Sequence, residues 1–564
     1  MPVRSVLDLL ADAAALGDVR IRFLPDDPAW RSASELAREA HRAAGWWSGV
    51  AGEGEAVAMV LSSSFDCLAV AYGAWLAGQR LVSLPHPARG MPIEEYLAGI
   101  AAMCELASTR LLALDPAYCA LLGEEEPGGA ALGVSVVPFD AYHGHVALYE
   151  ARGRADFVQF TSGSVSSPKG VVLSLDALGA AIEATVSAME PEGREAGVSW
   201  LPLSHDMGFI GVCLAALAAT APPYGARGTL SLIAPEAFLA SPSIWLQTCS
   251  ADKATFSAAP GFAFDLAARL LRHERSPLDL SSLRVLATGA EPIRVESLRR
   301  FAETAGAFGF DEAAFCPAYG LAEATLGVTG VRAAEHWRSL HVDRHALGSG
   351  EVVLVDDPGG SSGPAGAPEL ARLSSQEGAY ELVSCGRPFS NAEVRIAGGA
   401  PYGPIEVCST SLMEGYLGEE PAPMIADGWL TTGDLGFVEG GELFVTGRAD
   451  DVIVVAGRNL YPDDLELIAG DHPLVRQGDC AALPDGEGSY VLVTEPARAG
   501  INRSDLQAAC AEVRAALAKR CGAGPSRVLF VSRGTLPKTP SGKPRRRHAA
   551  ALFAAGSLAV EASA

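Results

Sequence analysis

Strand patterns and helix patterns alternate in the first part of the chain, and this alternation restricts the fold more than any other feature. Residues 55–61 (EAVAMVL) predict a buried strand, residues 65–78 predict a helix, and residues 80–84 (RLVSL) predict a second buried strand. A strand, a helix and a strand in this order place the two strands parallel in one sheet. We therefore predict an α/β fold built on a mainly parallel sheet.

The pattern changes near the end of the chain. A length of 564 residues exceeds one ordinary domain, so we expect two to four domains. Residues 435–446 predict a hairpin around a Glu-Gly-Gly turn. The pattern that follows comprises a strand at 452–455, a helix after Pro462, a helix at 504–519 capped by Ser504, and a strand at 528–531. We predict an N-terminal domain of residues 1–449 and a small C-terminal domain of residues 450–564.

Composition restricts the partners and the location of the chain. A net charge of −24 argues against binding nucleic acid through bulk electrostatics, so ATP or another acidic ligand needs local positive groups. The eleven cysteines include no Cys-x-x-Cys pair, which favours reduced, buried thiols in a cytoplasmic protein. The N-terminal residues do not resemble a secretory signal, and the apolar stretch at 211–223 is too short to cross a bilayer. We expect no integral membrane association.

A loop of small and polar residues, TSGSVSSPKG, lies between two β-rich runs within residues 157–175. Its small residues, among them Gly163, let backbone N–H groups approach an anion closely. The hydroxyls of Thr161, Ser162 and Ser164 add hydrogen-bond donors, and Lys169 adds a positive charge. The loop lacks the Walker pattern, and a strand rather than a helix is predicted to follow it. A phosphate-binding loop is therefore predicted, with an ordinary polar hairpin loop as the alternative.

This loop resembles the phosphate loop of the adenylate-forming superfamily, which includes acyl-CoA synthetases, luciferases and peptide-synthetase adenylation domains. The family pattern is close to T-S-G-[ST]-T-G-x-P-K-G, and Val165 and Ser166 replace its second Thr and its second Gly. The resemblance implies a large N-terminal AMP-binding domain of packed, mainly parallel sheets with a β-rich subdomain. It also implies a small, mobile α+β C-terminal domain.

Two further segments match the family in the expected order. The segment 199–211 (SWLPLSHDMGFIG) resembles the lining of the acyl pocket, which implies this role for Ser204, His205, Asp206, Met207 and Gly208. Fatty acyl-AMP ligases typically carry an aromatic residue at the position of Ser204. The alternative to an acyl-pocket role for His205 and Asp206 is an ordinary buried pair. The segment 285–294 (VLATGAEPIR) resembles the part that runs along the adenine, through Gly289, Ala290 and Glu291, with a plain tight turn as the alternative.

The segment 315–330 (FCPAYGLAEATLGVTG) is more specific. Tyr319 matches the aromatic residue that packs on adenine, and Gly320 and Leu321 continue the nucleotide site. Glu323 matches the carboxylate that holds Mg²⁺, with Thr161 as the second implied metal ligand, because a hard divalent ion takes oxygen ligands and bridges the triphosphate. The sequences Ala-Glu-Ala-Thr-Leu here and Ser-Cys-Gly-Arg-Pro at 384–388 are typical of the fatty acyl-AMP ligases.

The last matching segments are 428–466 and 536–547. Asp434 matches the acid that accepts both ribose hydroxyls. Arg448 matches the arginine near the ribose and phosphate, and Asp450 matches the hinge of the C-terminal domain. Lys543 matches the lysine that contacts the carboxylate and the α-phosphate. For Arg545–Arg547 we favour a basic, solvated tail.

The resemblance implies adenylation of a carboxylic acid, most simply a fatty acid, with ATP and Mg²⁺ and release of pyrophosphate. The acyl group then passes to the phosphopantetheine thiol of an acyl carrier protein after the C-terminal domain turns. In the fatty acyl-AMP ligases, an inserted segment hinders this rotation of the C-terminal domain. Residues 331–383 lie where such an insertion would be expected. The alternatives are a coenzyme A ligase and an enzyme that adenylates an aryl acid, an amino acid or a small oxyanion. A non-enzymatic interaction protein is disfavoured because Glu323, Asp434, Arg448 and Lys543 are all present.

Overall fold

The computed structural model of the protein describes residues 4–16, 19–87, 91–121, 132–145, 155–160, 169–225, 227–355, 379–418, 425–455, 458–486, 488–538 and 544–563. Within these ranges, one π-helix covers Met207–Leu214. The α-helices in this part of the chain are α1 Val6–Leu16, α2 Ala33–Val50, α3 Phe65–Leu76, α4 Ile93–Leu106, α5 Pro116–Leu121, α6 Leu175–Met189, α7 Ala215–Ala218, α8 Pro235–Ala240, α9 Ser243–Asp252, α10 Gly261–Leu271, α11 Val295–Ala305, α12 Arg344–Gly348, α13 Pro462–Gly470, α14 Arg503–Cys521 and α15 Arg546–Ala554.

The strands are distributed over the whole described chain. They are β1 Val19–Leu24, β2 Asp27–Ser32, β3 Ala56–Val60, β4 Arg80–Leu84, β5 Leu111–Leu114, β6 Ser135–Pro138, β7 Asp156–Phe160, β8 Gly170–Ser174, β9 Arg194–Ser199, β10 Arg227–Ile233, β11 Phe256–Ala258, β12 Val285–Thr288, β13 Phe315–Gly320, β14 Gly327–Gly330, β15 Ser339–Asp343, β16 Ala379–Val383, β17 Arg387–Pro388, β18 Ala392–Ile396, β19 Gly403–Ser409, β20 Gly415–Tyr416, β21 Ile425–Ala426, β22 Trp429–Glu439, β23 Glu442–Arg448, β24 Ile453–Val455, β25 Arg458–Leu460, β26 Val475–Pro484, β27 Tyr490–Pro496, β28 Arg527–Val531 and β29 Val560–Ser563.

Two large sheets carry the first part of the chain. One has the order β20-β8-β7-β4-β3-β5-β6, in which β7 to β6 run parallel, and the other has the order β17-β14-β13-β12-β11-β9-β10-β1-β2, in which β13 to β1 run parallel. The predicted strand, helix and strand are β3, α3 and β4, so the predicted α/β class is confirmed. Parallel strands end at one edge of their sheet, which is where ligands bind in such folds.

One continuous apolar core joins both sheets. The helix α3 contributes Trp75, which packs 5.9 Å from Phe157 of β7 and 5.9 Å from Phe209 of the π-helix, measured between ring centroids. The helix α2 packs closely on α3 because Gly73 has no side chain: a Cβ there would lie 2.7 Å from the Cβ of Ala43. Two sheets that share one buried core form a rigid support for the loops at the strand ends.

The later strands form a β-rich part and a separate C-terminal sheet. In the β-rich part, β22 pairs with β19, β21 and β23, and the β22–β23 hairpin turns between Glu439 and Glu442, as predicted. The C-terminal sheet has the order β26-β27-β28-β29 and its own apolar core with α13 and α14. The division at residue 450 stays a prediction.

The N-cap predicted for α14 is wrong by two residues. The side chain of Asn502 accepts a hydrogen bond from the Asp505 N–H (2.8 Å), so Asn502 is the N-cap. The hydroxyl of Ser504 donates to Asn502 Oδ1 instead (2.7 Å). Asparagine caps a helix at least as well as serine, so the sequence offered two good candidates.

The segment that we compared with an insertion contacts α13 and β25 of the C-terminal part through α12. Arg344 forms a salt bridge with Asp464 of α13 (3.0 Å), and the two side chains are 13% and 6% exposed. The guanidinium of Arg344 also lies 5.1 Å from the ring centroid of Tyr380 in β16. The Gly/Pro-rich stretch 355–367 lies outside the described residues from position 356 on.

We expect Arg344→Met to lower the free energy of unfolding by about 3 kcal/mol, since it leaves the buried Asp464 carboxylate without its partner. The double variant Arg344→Met/Asp464→Asn should recover most of this loss. Arg520→Met removes a more exposed pair with Asp471 and should cost less than about 1 kcal/mol. Urea unfolding of all variants tests the comparison, and equal losses for Arg344→Met and Arg520→Met would contradict it.

The cysteines agree with the expectation of buried thiols from the sequence. None of the eleven cysteines forms a disulfide, and nine are buried. Burial raises the pKa of Cys67 and of Cys213 to about 12, so these thiols are protonated and unreactive near neutral pH. Among the helices that the structure describes, none is long and apolar enough to cross a membrane.

Candidate active site

The predicted phosphate loop connects β7 and β8, which are antiparallel neighbours, so a strand follows it as expected. Thr161, Ser162, Gly163 and Ser164 lie outside the described residues, as do Val165 and Ser166. Lys169 is described and exposed, and its Nζ lies 4.6 Å from the ring centroid of Tyr416. A cation over an aromatic face is stabilised by the electrons of the ring. The chain therefore leaves the loop with its lysine held against β20.

Tyr416 also contacts the predicted metal ligand. Its Oη donates a hydrogen bond to Glu323 Oε1 (2.8 Å), while the carbonyl of Glu323 accepts one from the Met413 N–H (2.8 Å). Tyr416 is only 6% exposed and pairs with Val171 of β8. Lys169, Tyr416 and Glu323 thus form one contiguous group. Sequence analysis missed Tyr416 because it lies outside the motifs that we compared.

Tyr319, Asp434 and Arg448 converge from three strands. The hydroxyl of Tyr319 donates to Asp434 Oδ2 (2.7 Å), and Arg448 Nε lies 3.5 Å from Asp434 Oδ1. The residues Asp434 and Arg448 are directly paired in the β22–β23 hairpin. Arg448 is 62% exposed, whereas Asp434 is 17% exposed. A buried acceptor with an open arginine beside it suits a sugar diol next to a phosphate.

Burial changes the pKa values of two of these groups. It raises the pKa of Asp434 above its usual range, although the Tyr319 hydroxyl and the Arg448 charge both oppose the shift. Burial, together with the Asp434 carboxylate, also holds the pKa of Tyr319 well above its usual range. Tyr319 therefore stays a neutral donor, and Asp434 loses its charge at a higher pH than an ordinary aspartate.

Tight backbone packing surrounds the predicted adenine segment. A Cβ on Gly289 would lie 2.5 Å from the carbonyl oxygen of Ala318 in the neighbouring strand β13, and Ala290 has a φ of 62°. Glu291 Oε1 accepts a hydrogen bond from the Gly261 N–H at the start of α10 (2.6 Å). The carboxylate of Glu291 thus anchors the start of α10, while the backbone of residues 289–291 lies at the end of β12.

The strand β13 ends at Gly320, and Leu321 follows it in a second close contact. The N–H of Leu321 donates to the carbonyl of Leu326 (2.9 Å), and a side chain on Gly320 would overlap that carbonyl. Thr325 follows with a φ of 71° and is fully buried. This narrow turn fixes the position of Glu323.

The predicted acyl segment follows β9. Ser204 is 9% exposed, and its carbonyl accepts a hydrogen bond from Gln159 Nε2 at the end of β7 (2.9 Å), which joins the edges of the two sheets. His205 Nδ1 lies 2.7 Å from Asp206 Oδ1, so the two side chains are paired, but they are 30% and 19% exposed rather than buried as in the alternative. Both are partly exposed, which leaves the pair available to a ligand.

Met207 and Gly208 begin the π-helix. Asp206 Oδ1 accepts a hydrogen bond from the Met207 N–H (2.6 Å), and a side chain on Gly208 would overlap the carbonyl of Pro202. A π-helix of eight residues is unusual, and such turns are frequent at functional sites. The five predicted acyl-pocket residues therefore run without a break from the turn after β9 into the start of the π-helix.

The C-terminal residues correct one prediction. Lys543 lies outside the described residues. Arg545 and Arg546, which we predicted to be solvated, have side chains only 8% and 18% exposed. Only Arg547 is exposed, and it pairs with Asp450 (3.1 Å) at the predicted hinge.

Three carboxylates surround Arg546 and stabilise its charge in this largely buried position. It contacts Asp451 (3.2 Å), Glu466 (2.7 Å) and Asp463. Burial alone would lower the pKa of Arg546, but the carboxylates of Glu466 and Asp463 outweigh it and hold this pKa above its usual range. A run of basic residues at a chain end was a weak guide to exposure, since the acidic partners lie far away in the sequence.

The described residues fit Mg²⁺ held jointly by protein and phosphate. In the part of the chain that the structure covers, no cluster of three or more His, Cys, Asp or Glu side chains could hold a metal alone. Glu323 offers one oriented carboxylate. Mg²⁺ is commonly bound by one or two carboxylates together with substrate phosphates. The donor set is thus adequate once a nucleotide is present.

Comparison with known proteins agrees with this arrangement. The family of AMP-binding enzymes matches residues 10–370. The long-chain-fatty-acid–AMP ligase FadD32 of Mycolicibacterium smegmatis is 33% identical over 446 residues, which cover 71% of this chain and 69% of the relative. The medium-chain-fatty-acid–[acyl-carrier-protein] ligase JamA of Moorena producens is 34% identical over 427 residues, with 71% and 68% covered.

The overall structure gives the same relationship. A solved fatty acyl-adenylate ligase, from work on the E. coli and L. pneumophila enzymes, superposes with a TM-score of 0.84 at 26% identity, covering 98% of each chain. The L. pneumophila enzyme in complex with acyl adenylate and pyrophosphate gives a TM-score of 0.69 at 25% identity, covering 99% of this chain and 97% of that chain. Sequence and fold therefore agree: the chain belongs to the AMP-binding enzymes, and within them it is an adenylate-forming ligase of the fatty acyl-AMP ligase family.

Proposed function

We propose that the protein activates a medium- or long-chain fatty acid with ATP and Mg²⁺ in the cytoplasm and passes the acyl group to the phosphopantetheine thiol of an acyl carrier protein. The convergence of Tyr319, Asp434 and Arg448 beside Glu323 is the observation that carries the proposal. The substrates named for the relatives give the acid and the acceptor.

The nucleotide is held in this proposal by residues from the two large sheets and from the β-rich part. The ring of Tyr319 packs on adenine, which runs along residues 289–291, and Asp434 accepts hydrogen bonds from the ribose hydroxyls. Arg448, which is 62% exposed, contacts the phosphates in this proposal. The backbone and hydroxyls of residues 161–164, with Lys169, bind the phosphates.

The chemical step needs positioning and charge screening more than proton transfer. A carboxylate oxygen attacks the α-phosphorus, an O–P bond forms, the bond to the β-phosphate oxygen breaks, and pyrophosphate leaves. No general base is required because the acid is already ionised at neutral pH. Bound Mg²⁺ supplies electrophilic charge to the phosphates, and Glu323, with Thr161, is the proposed protein ligand. Lys543 screens the charge of the attacking carboxylate and the α-phosphate.

The acyl chain enters beside Ser204–Gly208 in this proposal. This turn leads into the π-helix, whose Phe209 belongs to the apolar core. The small side chain of Ser204 leaves space where the family usually has an aromatic ring. Chain length and branching are then selected by the volume behind this turn.

The acceptor step uses rotation of residues 450–564 about Asp450. The salt bridge between Arg344 and Asp464 crosses from the segment 331–383 to the C-terminal part. This contact supports a restrained rotation, as in the branch that transfers to carrier proteins. A coenzyme A ligase remains the second candidate for this step alone.

One experiment tests the first half of the proposal. Pyrophosphate release is measured with fatty, aryl and amino acids and with small oxyanions, and the adenylate is identified by mass spectrometry. Release with a C8–C16 fatty acid supports the proposal, whereas release only with another class of acid rejects the fatty substrate. The acyl-AMP is then offered to a holo-carrier protein and to coenzyme A, and preference for coenzyme A rejects the proposed acceptor.

We expect Asp434→Asn to raise the KM for ATP about tenfold, because an amide accepts the ribose hydroxyls less strongly than a carboxylate. The raised pKa of Asp434 gives a second signature. The wild-type KM for ATP should rise as the pH falls into the range where Asp434 gains a proton, and the variant should lose this dependence. Arg395→Met, which removes an exposed pair with Glu406, is the control. An unchanged pH profile in Asp434→Asn would reject the role.

A further inference from the structure

Arg545 makes a contact that the proposed chemistry does not use. Its Nη1 lies 3.6 Å from Oε1 of Glu95, which is in the first turn of α4. Glu95 lies in the N-terminal part of the chain and Arg545 in the C-terminal part, 450 positions apart and on opposite sides of Asp450. The contact therefore bridges the two parts that the proposed hinge joins.

The Arg545 side chain is largely shielded from water at this contact. It is 8% exposed, and within the described chain its Nε is buried without a hydrogen-bond partner. Glu95 is 38% exposed, so the carboxylate reaches the arginine from the solvent side. A guanidinium in such surroundings is stable only with an opposite charge nearby.

The chain around Arg545 is fixed to the C-terminal sheet. Its N–H donates to the carbonyl of Pro537 (2.8 Å), and Lys538 and Pro544 form a β-bridge. The carboxylate of Glu495, 1% exposed, accepts hydrogen bonds from the N–H groups of Gly534 (2.8 Å) and Leu536 (3.1 Å). Residues 534–538 and 544–545 thus belong rigidly to the C-terminal part, and Lys543 precedes Arg545 by two residues in the sequence.

Glu95 lies on the side of the molecule where the nucleotide residues are found. The helix α4 follows β4, whose neighbour β7 leads into the predicted phosphate loop. The carboxyl ends of β4 and β7 lie at one edge of their sheet because the two strands are parallel. Arg545 therefore reaches the edge that carries the site.

We propose that the Arg545–Glu95 ion pair is an orientation-specific clamp that holds the C-terminal part in the position for adenylation and opens for the acceptor step. The proposal rests on the function proposed above, in which Lys543 acts in the first half-reaction only. Rotation about Asp450 separates Arg545 from Glu95, because each residue is fixed to a different part. Arg545 is a positioning residue, since its partner is Glu95 rather than the substrate.

The two half-reactions give the test. Glu95→Gln and Arg545→Met should each slow acid-dependent ATP–pyrophosphate exchange about tenfold, while transfer from supplied acyl-AMP to the holo-carrier protein is unchanged or faster. The swap Glu95→Arg/Arg545→Glu should restore exchange to within about threefold of the wild type. Arg527→Met is the matched control, because Arg527 forms an ion pair of the same length, 3.6 Å, with Asp485 inside the C-terminal part. Equal slowing of both half-reactions, or an effect no larger than that of Arg527→Met, would overturn the proposal.

A second measurement does not depend on activity. Trypsin can cleave after Arg448 and Arg458, which flank Asp450. Cleavage there should be faster in Glu95→Gln than in the wild type and unchanged in Arg527→Met, with equal thermal stability in all three proteins. Unchanged cleavage in Glu95→Gln would overturn the clamp. Faster cleavage in a protein that exchanges no pyrophosphate with any acid would support the clamp and reject the proposed function.

Discussion

Lys543→Ala should lower the rate of acyl-adenylate formation by on the order of 10²–10³-fold while leaving thermal stability unchanged. The attacking carboxylate and the α-phosphate are both anionic, and one positioned cation contributes this much when it stabilises charge in a transition state. The rate is measured as acid-dependent ATP–pyrophosphate exchange. Lys519→Ala, an exposed position on α14, removes the same charge elsewhere in the C-terminal part and should have no effect.

The acceptor step separates this role from general damage. Transfer from supplied acyl-AMP should continue in Lys543→Ala, because the adenylate already contains the bond that the lysine helps to form. Full exchange activity in Lys543→Ala would show that the assigned role is wrong. Loss of both half-reactions together with a lower unfolding temperature would point to a structural role instead.

Glu323→Gln should have the next largest effect, about 10²-fold on exchange, together with a higher Mg²⁺ requirement. The amide keeps the shape of the side chain but removes the charge that attracts a hard divalent ion. Calorimetric binding of a non-reactive ATP analogue, with and without Mg²⁺, measures this directly. In the variant, Mg²⁺ should no longer strengthen nucleotide binding as it does in the wild type.

Tyr416→Phe is a milder test of the metal role of Glu323. It removes the hydrogen bond from Tyr416 Oη to the Glu323 carboxylate and should raise the Mg²⁺ concentration for half-maximal activity about fivefold. Tyr224→Phe removes a hydrogen bond of similar length, 3.0 Å, to the Glu183 carbonyl and should change nothing. Unaltered Mg²⁺ dependence in both Glu323→Gln and Tyr416→Phe would reject the metal role of Glu323.

The strands and helices of the first domain could be predicted because their signals are local. The run EAVAMVL became β3, since buried strands in a parallel sheet are continuous apolar runs. The β-rich runs on either side of the phosphate loop became β7 and β8. The site motifs were recognisable because each consists of neighbours in the sequence. The structure adds their proximity, such as the contact between Tyr319 and Asp434.

Contacts between distant positions could not be predicted in this way. Tyr416 lies 93 positions from Glu323, and Arg546 lies 80 positions from Glu466. Nothing local distinguishes a buried arginine from an exposed one, so the prediction for Arg545 and Arg546 failed. The capping error at Ser504 is of another kind: two competent residues were close together, and backbone geometry decided between them.

The residues after the proposed hinge share an apolar core with those before it. Tyr461 packs with Val342, Leu382, Tyr402, Phe437 and Phe444, and its hydroxyl is hydrogen-bonded to that of Tyr402. A protein truncated at residue 449 would expose this face, and an isolated fragment from 450 onward would expose Tyr461. Recombination with a relative, in evolution or in the laboratory, should therefore preserve solubility only when residues 340–383 and the chain around Tyr461 are inherited from the same parent.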